Sequence, residues 1–193
     1  MGVMIDIIGS TIIRGVIVLV ILNLNVSLNN ALSQKTVRAA LKQKTVVPAQ
    51  ILTDDIRLAG FNQAAPKTFA VADTSEIKFL ADLNNDGSTD IVRYYLGAAP
   101  TGSTHRVLYR QLNNGASFEL ARDVISLKFT YYNSLAGTIT PHASGWPPTA
   151  NIKSISIKLV IEANAQTTEG IGTGNTASYE RAYWEQTIFP QNL

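Results

Sequence analysis

The chain has 193 residues, a formal net charge of +2 and no cysteine, with 46% hydrophobic and 16% charged residues. The lack of cysteine excludes disulfides, thiolate metal sites and thiol catalysis. Lysine and arginine are dispersed along the chain, so no nucleic-acid partner is expected. The length suits one domain joined to a long, simple segment.

The most apolar run lies near the N-terminus and contains one charge. It is IIGSTIIRGVIVLVIL, residues 7–22, with Arg14 near its middle. Such a run, if helical, spans about 24 Å, slightly less than the roughly 30 Å hydrocarbon core of a bilayer. A charge inside a membrane costs about 2.5–3.5 kcal/mol and therefore needs a partner or a function. The alternative is that Arg14 marks the membrane edge and that a shorter span starts at Gly15.

Helical character continues beyond this run. Pro48 is the only helix breaker between Asn23 and Ala59, and we expect it to kink or interrupt the helix. Gly60 follows as a helix stop. Apolar residues recur at helical spacing, namely Leu28, Ala31 and Leu32 on one face and later Leu52, Ile56 and Ala59 on one face. We predict an apolar membrane or filament-core half at 1–30 and an amphipathic half at 31–62 that packs on a sheet.

After Gly60 the pattern changes to period two, which predicts an antiparallel β domain over residues 63–193. The predicted strands are 77–81, 90–96, 105–112, 117–124, 125–132, 154–163 and 179–189. Two longer connections, 133–150 and 164–178, are predicted to be surface loops. The fold class is therefore α+β, with a long N-terminal helix packed on an antiparallel sheet.

Three stretches of the sequence carry a resemblance to a known family. They are LTDDIRLAGF at 52–61, IKFLADLNNDGSTDIVRYYL at 77–96 and RVLYRQLNNG at 106–115. With the long helix before them, they resemble type IV pilins and type II secretion pseudopilins, most of all W-type minor pilins and J-type minor pseudopilins. The resemblance implies the pilin-like form of the α+β fold.

The resemblance also implies a function. Such proteins are structural subunits, not enzymes: they wait in the cytoplasmic membrane and then enter an extracellular filament or a periplasmic pseudopilus. Their partners are membrane lipid, copies of themselves and other pilin-like subunits, and a minor, priming role and a major role both stay open. No basic leader is present, so either it has been removed or processing differs. If the mature chain begins at Gly2, Asp6 stands where the family has a glutamate.

Asp6 and Arg14 are the predicted assembly residues. Eight residues separate them, whereas a pair on one helix needs a spacing of three or four. In a bundle of parallel, staggered helices, however, Asp6 of one copy can lie level with Arg14 of another. We therefore predict an intersubunit salt bridge that sets the stagger.

The segment DLNNDGSTD at 82–90 has the spacing of a calcium loop. Oxygen-bearing side chains occupy loop positions 1, 3, 5 and 9, namely Asp82, Asn84, Asp86 and Asp90, with Gly87 at position 6. Position 12 is Arg93 and not a bidentate glutamate, so Glu76 or a backbone carbonyl would have to complete a site. The alternative is a hairpin loop whose Asn and Asp side chains bond their own backbone.

The remaining candidates are weaker. His105 and His142 show no metal or triad spacing, so surface positions are expected. Trp146, followed by two prolines, either binds a partner or glycan or packs its loop onto the sheet. The alternative function is a membrane-anchored extracytoplasmic binding module that uses the 133–150 or the 164–178 loop.

Overall fold

A computed structural model describes residues 2–62, 68–133, 137–141, 152–167 and 178–192, and for residues 2–6, 164–167 and 178 it describes the backbone alone. Within these ranges, one long N-terminal helix precedes an antiparallel β-sheet that curls on itself. The predicted α+β class is confirmed at this level.

Helix α1 runs without a break over Gly2–Arg57, which is 56 residues and about 84 Å of helix. Pro48 lies inside it, so of the two expected outcomes, a kink or an interruption, the interruption does not occur. Proline removes one backbone donor, but the helix stays regular on both sides. The helix ends close to the predicted stop, because Gly60 takes a positive φ of 81° that glycine adopts readily.

Only the second half of α1 packs on the sheet. Its buried side chains follow one helical stripe, namely Leu41, Thr45, Pro48, Ala49, Leu52, Thr53 and Ile56. The hydroxyls of Thr45 and Thr53 donate to backbone carbonyls one turn earlier, at 2.8 and 2.7 Å, so the stripe buries no unpaired hydroxyl. Packing begins at about Val37; Leu28, Ala31 and Leu32, on the predicted apolar face, are exposed.

In the described part of the chain, the sheet contains eight strands, and each pairs antiparallel with its neighbour. They are β1 (Phe69–Ala72), β2 (Glu76–Ala81), β3 (Asp90–Leu96), β4 (Arg106–Leu112), β5 (Ser117–Tyr132), β6 (Thr138–Ile139), β7 (Ser154–Thr167) and β8 (Ser178–Ile188). The order is β1-β2-β3-β4-β5-β7-β8, with β6 beside β5. This is the meander that the short turns predict.

Four strand predictions need correction. The segments 117–124 and 125–132 form one strand, β5, because the chain bulges between them and does not turn. Strands β1 and β6 were not predicted, since both are very short. Strand β7 extends to Thr167, and β8 begins at Ser178. Residues 164–167 are therefore strand and not loop, and the rest of that connection lies outside the described residues.

The bulge in β5 changes which residues point inward. Asp123 has a positive φ of 59°, and the pairing with β7 shifts between Val124 and Ser126. Val124 is therefore fully buried, whereas Ile125 is only half-buried. Beyond the bulge the predicted alternation returns, and Leu127, Phe129 and Tyr131 are buried.

The bulge also lets the sheet curl. The first part of β5 pairs with β4, and the part after Val124 pairs with β7. Beyond Val124, β4 no longer pairs with β5, and the turn between β1 and β2 contacts this edge of β5. There the Phe129 amide donates a 2.8 Å hydrogen bond to the Thr74 carbonyl. The Tyr131 hydroxyl donates to the Asp73 carbonyl at 2.8 Å. The β1–β2 end of the meander is thus joined to β5.

We expect Gly60→Ala to destabilise the fold. A β-carbon at Gly60 would lie 2.5 Å from the Asn192 carbonyl oxygen and 3.1 Å from the Thr68 hydroxyl. The left-handed backbone conformation adds about 1–2 kcal/mol for a residue that has a β-carbon. Chemical denaturation in detergent micelles should therefore show a loss well above this amount.

The matched control is Gly102→Ala. Gly102 has nearly the same φ, 78°, but no atom beyond its chain neighbours lies within 4 Å of the position that a β-carbon would take there. It should lose only the conformational part of the stability. Equal losses in the two variants would contradict a tight junction between the helix end and the C-terminal residues.

Candidate functional site

The first half of α1 is an apolar rod without a packing partner among the described residues of this chain. Its large apolar side chains from Ile7 to Leu32 are each 48–61% exposed. Residues 7–33 are exposed throughout, apart from the half-buried Gly9. The helix is long and apolar enough to cross a membrane. Apolar surface on this scale is unusual for a soluble monomer and marks a membrane or protein contact.

Arg14 differs from the other polar residues of this apolar run in lacking a local partner. The hydroxyls of Ser10 and Thr11 donate to the Ile7 carbonyl at 3.1 and 2.8 Å, which is how such side chains are accommodated in apolar helices. Arg14 is exposed and makes no hydrogen bond or ion pair with the described residues. Asp6 lies on the same helix, and its side chain lies outside the described atoms.

A buried polar cluster joins the end of α1 to the sheet. The Tyr94 hydroxyl donates to Asp55 Oδ2 at 2.5 Å, and Arg110 Nε donates to the same oxygen at 2.7 Å. Burial, followed by the charge of Asp55, raises the pKa of Tyr94 far above its ordinary value. Tyr94 therefore stays protonated and donates its hydrogen bond at all ordinary pH values.

This cluster was not predicted, although the sequence contained its signal. Asp55, Tyr94 and Arg110 come one each from the three stretches that carry the pilin resemblance. Arg110 lies beside Tyr94 in the β3–β4 register, and the helix brings Asp55 to both. The shared motifs therefore mark the helix–sheet junction.

Two ion pairs join α1 to the sheet on the N-terminal side of this cluster. Arg38 Nη2 lies 2.7 Å from Glu180 of β8, and Lys44 Nζ lies 3.8 Å from Asp123 of β5. Both cations are largely exposed, so each pair adds little stability, about 0–1 kcal/mol. Their effect is to fix which side of the helix faces the sheet.

His105 is not the free surface residue that we expected. Its Nε2 lies 2.8 Å from Glu162 Oε1, and Arg181 Nε donates to Glu162 Oε2 at 2.6 Å. Glu162 is 6% exposed; burial acts to raise its pKa, but the bonds and charges of His105 and Arg181 outweigh burial and lower it. The cluster joins the residue just before β4 to strands β7 and β8. His142 and Trp146 lie outside the described residues.

The 82–90 loop brings its predicted residues together, but donors from the loop and from Asn62 and Asn113 occupy the carboxylates. The two Asp82 oxygens accept bonds from the amides of Asp86 and Gly87 at 3.1 and 2.9 Å, and Asn62 donates to one of them at 2.8 Å. Both oxygens of Asp86 and both of Asp90 likewise accept N–H bonds.

This geometry favours the hairpin interpretation over calcium. Among the described residues, no group of three or more His, Asp or Glu side chains could hold a metal ion. Arg93, at loop position 12, bonds Glu76 at 2.7 and 3.0 Å, so neither residue completes a calcium shell. Calcium binding stays a prediction that requires rearrangement of the loop, and a rise in melting temperature with millimolar calcium is its test.

Searches against known protein families and against curated proteins find no match. The pilin resemblance therefore has no support from such a match and enters the function only as a proposal.

Tyr94→Phe should destabilise the helix–sheet junction. The variant leaves a half-buried carboxylate with one donor fewer, which costs about 1–3 kcal/mol. Tyr95→Phe is the matched control, since the Tyr95 hydroxyl bonds only Ser117 at the surface. Denaturation curves measure the stability of both variants, and Tyr94→Phe should be the less stable. Equal stabilities of the two variants would mean that the cluster does not stabilise the contact between helix and sheet.

Asp82→Asn should reduce stability at neutral pH. The bonds from Asn62, Gly87 and Asp86 lower the pKa of Asp82 below its ordinary value, although burial opposes them. A lowered folded-state pKa contributes stability above about pH 4, the unfolded value, and this is lost as pH falls through the folded pKa. The difference in melting temperature from the unmodified chain should therefore shrink below about pH 4. A difference that is constant with pH would contradict this role of the charge.

Proposed function

We propose that the chain is a structural subunit of a helical filament of the type IV pilus or type II secretion pseudopilus class. In this proposal the first half of α1 holds the subunit in the cytoplasmic membrane before assembly. It then moves into a bundle of helices at the filament centre, while the sheet domain stays outside. The subunit acts as a minor, priming component or as the repeating one.

One observation carries the proposal: a single unbroken helix has one packed half and one bare, apolar half. The bare part from Ile7 to Ser33 is about 40 Å long and is exposed apart from the half-buried Gly9. Lipid can cover it in the membrane, and neighbouring copies can cover it in a filament. A membrane span alone needs only about 30 Å of helix, and the bare half exceeds this length.

The firm attachment of the packed half supports the same proposal. Leu52 and Ile56 are fully buried against the core, and Asp55 anchors the same helix end to β3 and β4. Because the helix is continuous through Pro48, the bare half extends the same helix that packs on the sheet domain. Contacts between helices therefore determine how neighbouring sheet domains are placed.

Within this proposal, Asp6 of one copy pairs with Arg14 of another. Eight residues correspond to about 12 Å along the helix axis, which would be the axial offset between the paired copies. An apolar bundle disfavours unpaired charge, so a wrong stagger leaves both groups unpaired. While the subunit is in the membrane, Arg14 reaches an interface by extending its side chain.

The competing proposal is the anchored binding module, in which the bare helix only fixes the domain to the membrane. A cavity next to the 133–150 connection favours this role and is described below. The two proposals differ in one respect: an anchor tolerates any membrane helix in place of residues 7–22, whereas a filament subunit does not.

Asp6→Ala and Arg14→Ala should each abolish filaments while leaving the sheet domain folded. Breaking one partner of a buried ion pair typically costs about 3–5 kcal/mol, and the cost recurs at every subunit. The exchange Asp6→Arg with Arg14→Asp should restore some filaments. Electron microscopy of cell-surface or overexpressed filaments is the measurement, with immunoblots to confirm subunit levels.

Lys35→Ala is the matched control, because Lys35 is exposed on the same helix outside the apolar run. It should assemble normally. Normal assembly of either alanine variant would refute the ion pair. Normal membrane localisation and no filament under any condition, with residues 7–22 replaceable by polyleucine, would refute the filament proposal itself.

A further inference from the structure

A cavity of about 310 Å³ opens beside β5. It lies between the β1–β2 turn, strand β5 and the segment 138–141, which includes β6. This volume is at the lower end of the range of small-molecule sites, about 300–1,000 Å³. It suits a single sugar-sized molecule better than a large cofactor.

The cavity follows from the way β5 changes partners. Strand β4 leaves β5 after the pairing of Arg106 with Val124, and β6 pairs only with Tyr131 and Tyr132. Between these points, the contact to this edge of β5 is the bond from the Phe129 amide to the Thr74 carbonyl. The uncovered stretch of strand edge forms one wall of the cavity.

The lining combines hydroxyls and one cation with a larger share of apolar surface, to which Phe129 and Pro141 also belong. Four threonines and a lysine supply the polar groups, namely Thr74, Thr130, Thr138, Thr140 and Lys128. Ile139 supplies apolar surface. Hydroxyls both donate and accept hydrogen bonds, and an ammonium group bonds strongly to an anion. The lining therefore suits a molecule with several hydroxyls and one negative charge.

A second feature is a charge repulsion that a bound anion would reduce. Lys128 lies directly opposite Lys158 in the β5–β7 register, and both are exposed. Like charges opposite each other on a sheet destabilise it. Glu185 lies opposite Lys158 on the far side, so it is placed to compensate Lys158 and not Lys128. A bound anion at Lys128 would relieve the repulsion.

We propose that this cavity binds an acidic monosaccharide unit, such as a uronic acid. Its carboxylate would pair with Lys128, its hydroxyls would bond the threonines, and the apolar face of its ring would lie against Ile139. The inference does not depend on the filament proposal, because the cavity belongs to the sheet domain alone.

The test is titration of the full chain with sodium glucuronate, followed by isothermal calorimetry. The chain is kept in a sugar-free polyoxyethylene detergent, because glycoside detergents would compete for the cavity. Glucose and inorganic phosphate are titrated in parallel, the first without the charge and the second without the sugar. We expect saturable binding of glucuronate that is at least about tenfold tighter than that of either control, in line with the strength of charge-assisted hydrogen bonds.

Lys128→Gln should weaken glucuronate binding by about tenfold or more. Lys158→Gln is the matched control: it removes the neighbouring charge but does not line the cavity, so the change should stay below about threefold. Melting curves of both variants show whether they are folded, and Lys128→Gln should melt no lower than the unmodified chain because repulsion is removed.

Three outcomes would overturn the proposal. They are the absence of saturable glucuronate binding, equal loss of binding in the two lysine variants, and phosphate or glucose binding as tight as glucuronate binding. The last outcome would indicate an unspecific anion site or a neutral sugar site.

Discussion

The burial of one stripe of α1 against the sheet is the interaction on which the rest of the structure depends. A fully buried Val, Leu or Ile side chain contributes about 1.5–3 kcal/mol, and Leu41, Leu52 and Ile56 are buried in this stripe. Without the helix, the inner faces of β5, β7 and β8 would be open to water. The sheet therefore needs the helix, and the Asp55 cluster fixes where along the sheet the helix ends.

The same helix creates the opposite problem over its first half. There the described part of the chain offers no second layer, and the apolar side chains stay exposed along the rod. The chain therefore buries the apolar side chains of the second half of α1 against its own sheet. Those of the first half remain exposed. Lipid and copies of the helix are the two surroundings that can cover a rod of this kind, and the proposed function uses each of them in turn.

Much of the fold follows from local patterns in the sequence. The alternation in 77–81 and the helical spacing of Leu52 and Ile56 predict buried faces that the structure confirms. Both depend on neighbours a few residues apart. Gly60 likewise predicts the helix end through its own backbone freedom.

The predictions failed where distant residues decide the structure. The helix passes through Pro48, because packing on the sheet outweighs the loss of one backbone bond. The β5 bulge depends on pairing with two different strands. His105 and Glu162 meet across 57 residues, and nothing in the spacing of either predicts the other. The candidate cavity was missed for the same reason, since three separate segments form it.

The composition of the bare half explains why its few polar residues matter. Residues 16–22, VIVLVIL, are apolar on every side of the helix. A helix that is apolar all round can be buried in any rotation about its axis, and its surface favours no axial position relative to a neighbouring helix. In lipid the helix does not need a single rotation or axial position. An ordered bundle of helices requires one of each. Apolar packing alone cannot supply this specificity, but a polar or charged group at a defined position can, because every wrong register leaves it unpaired. Arg14 is the charged residue in the run from Ile7 to Leu22 that could specify one register. The asparagines at 23, 25, 29 and 30 are further polar residues between this run and the sheet domain. In the proposed filament, a charge that is costly in the membrane would be retained because it defines the register of the assembled helices.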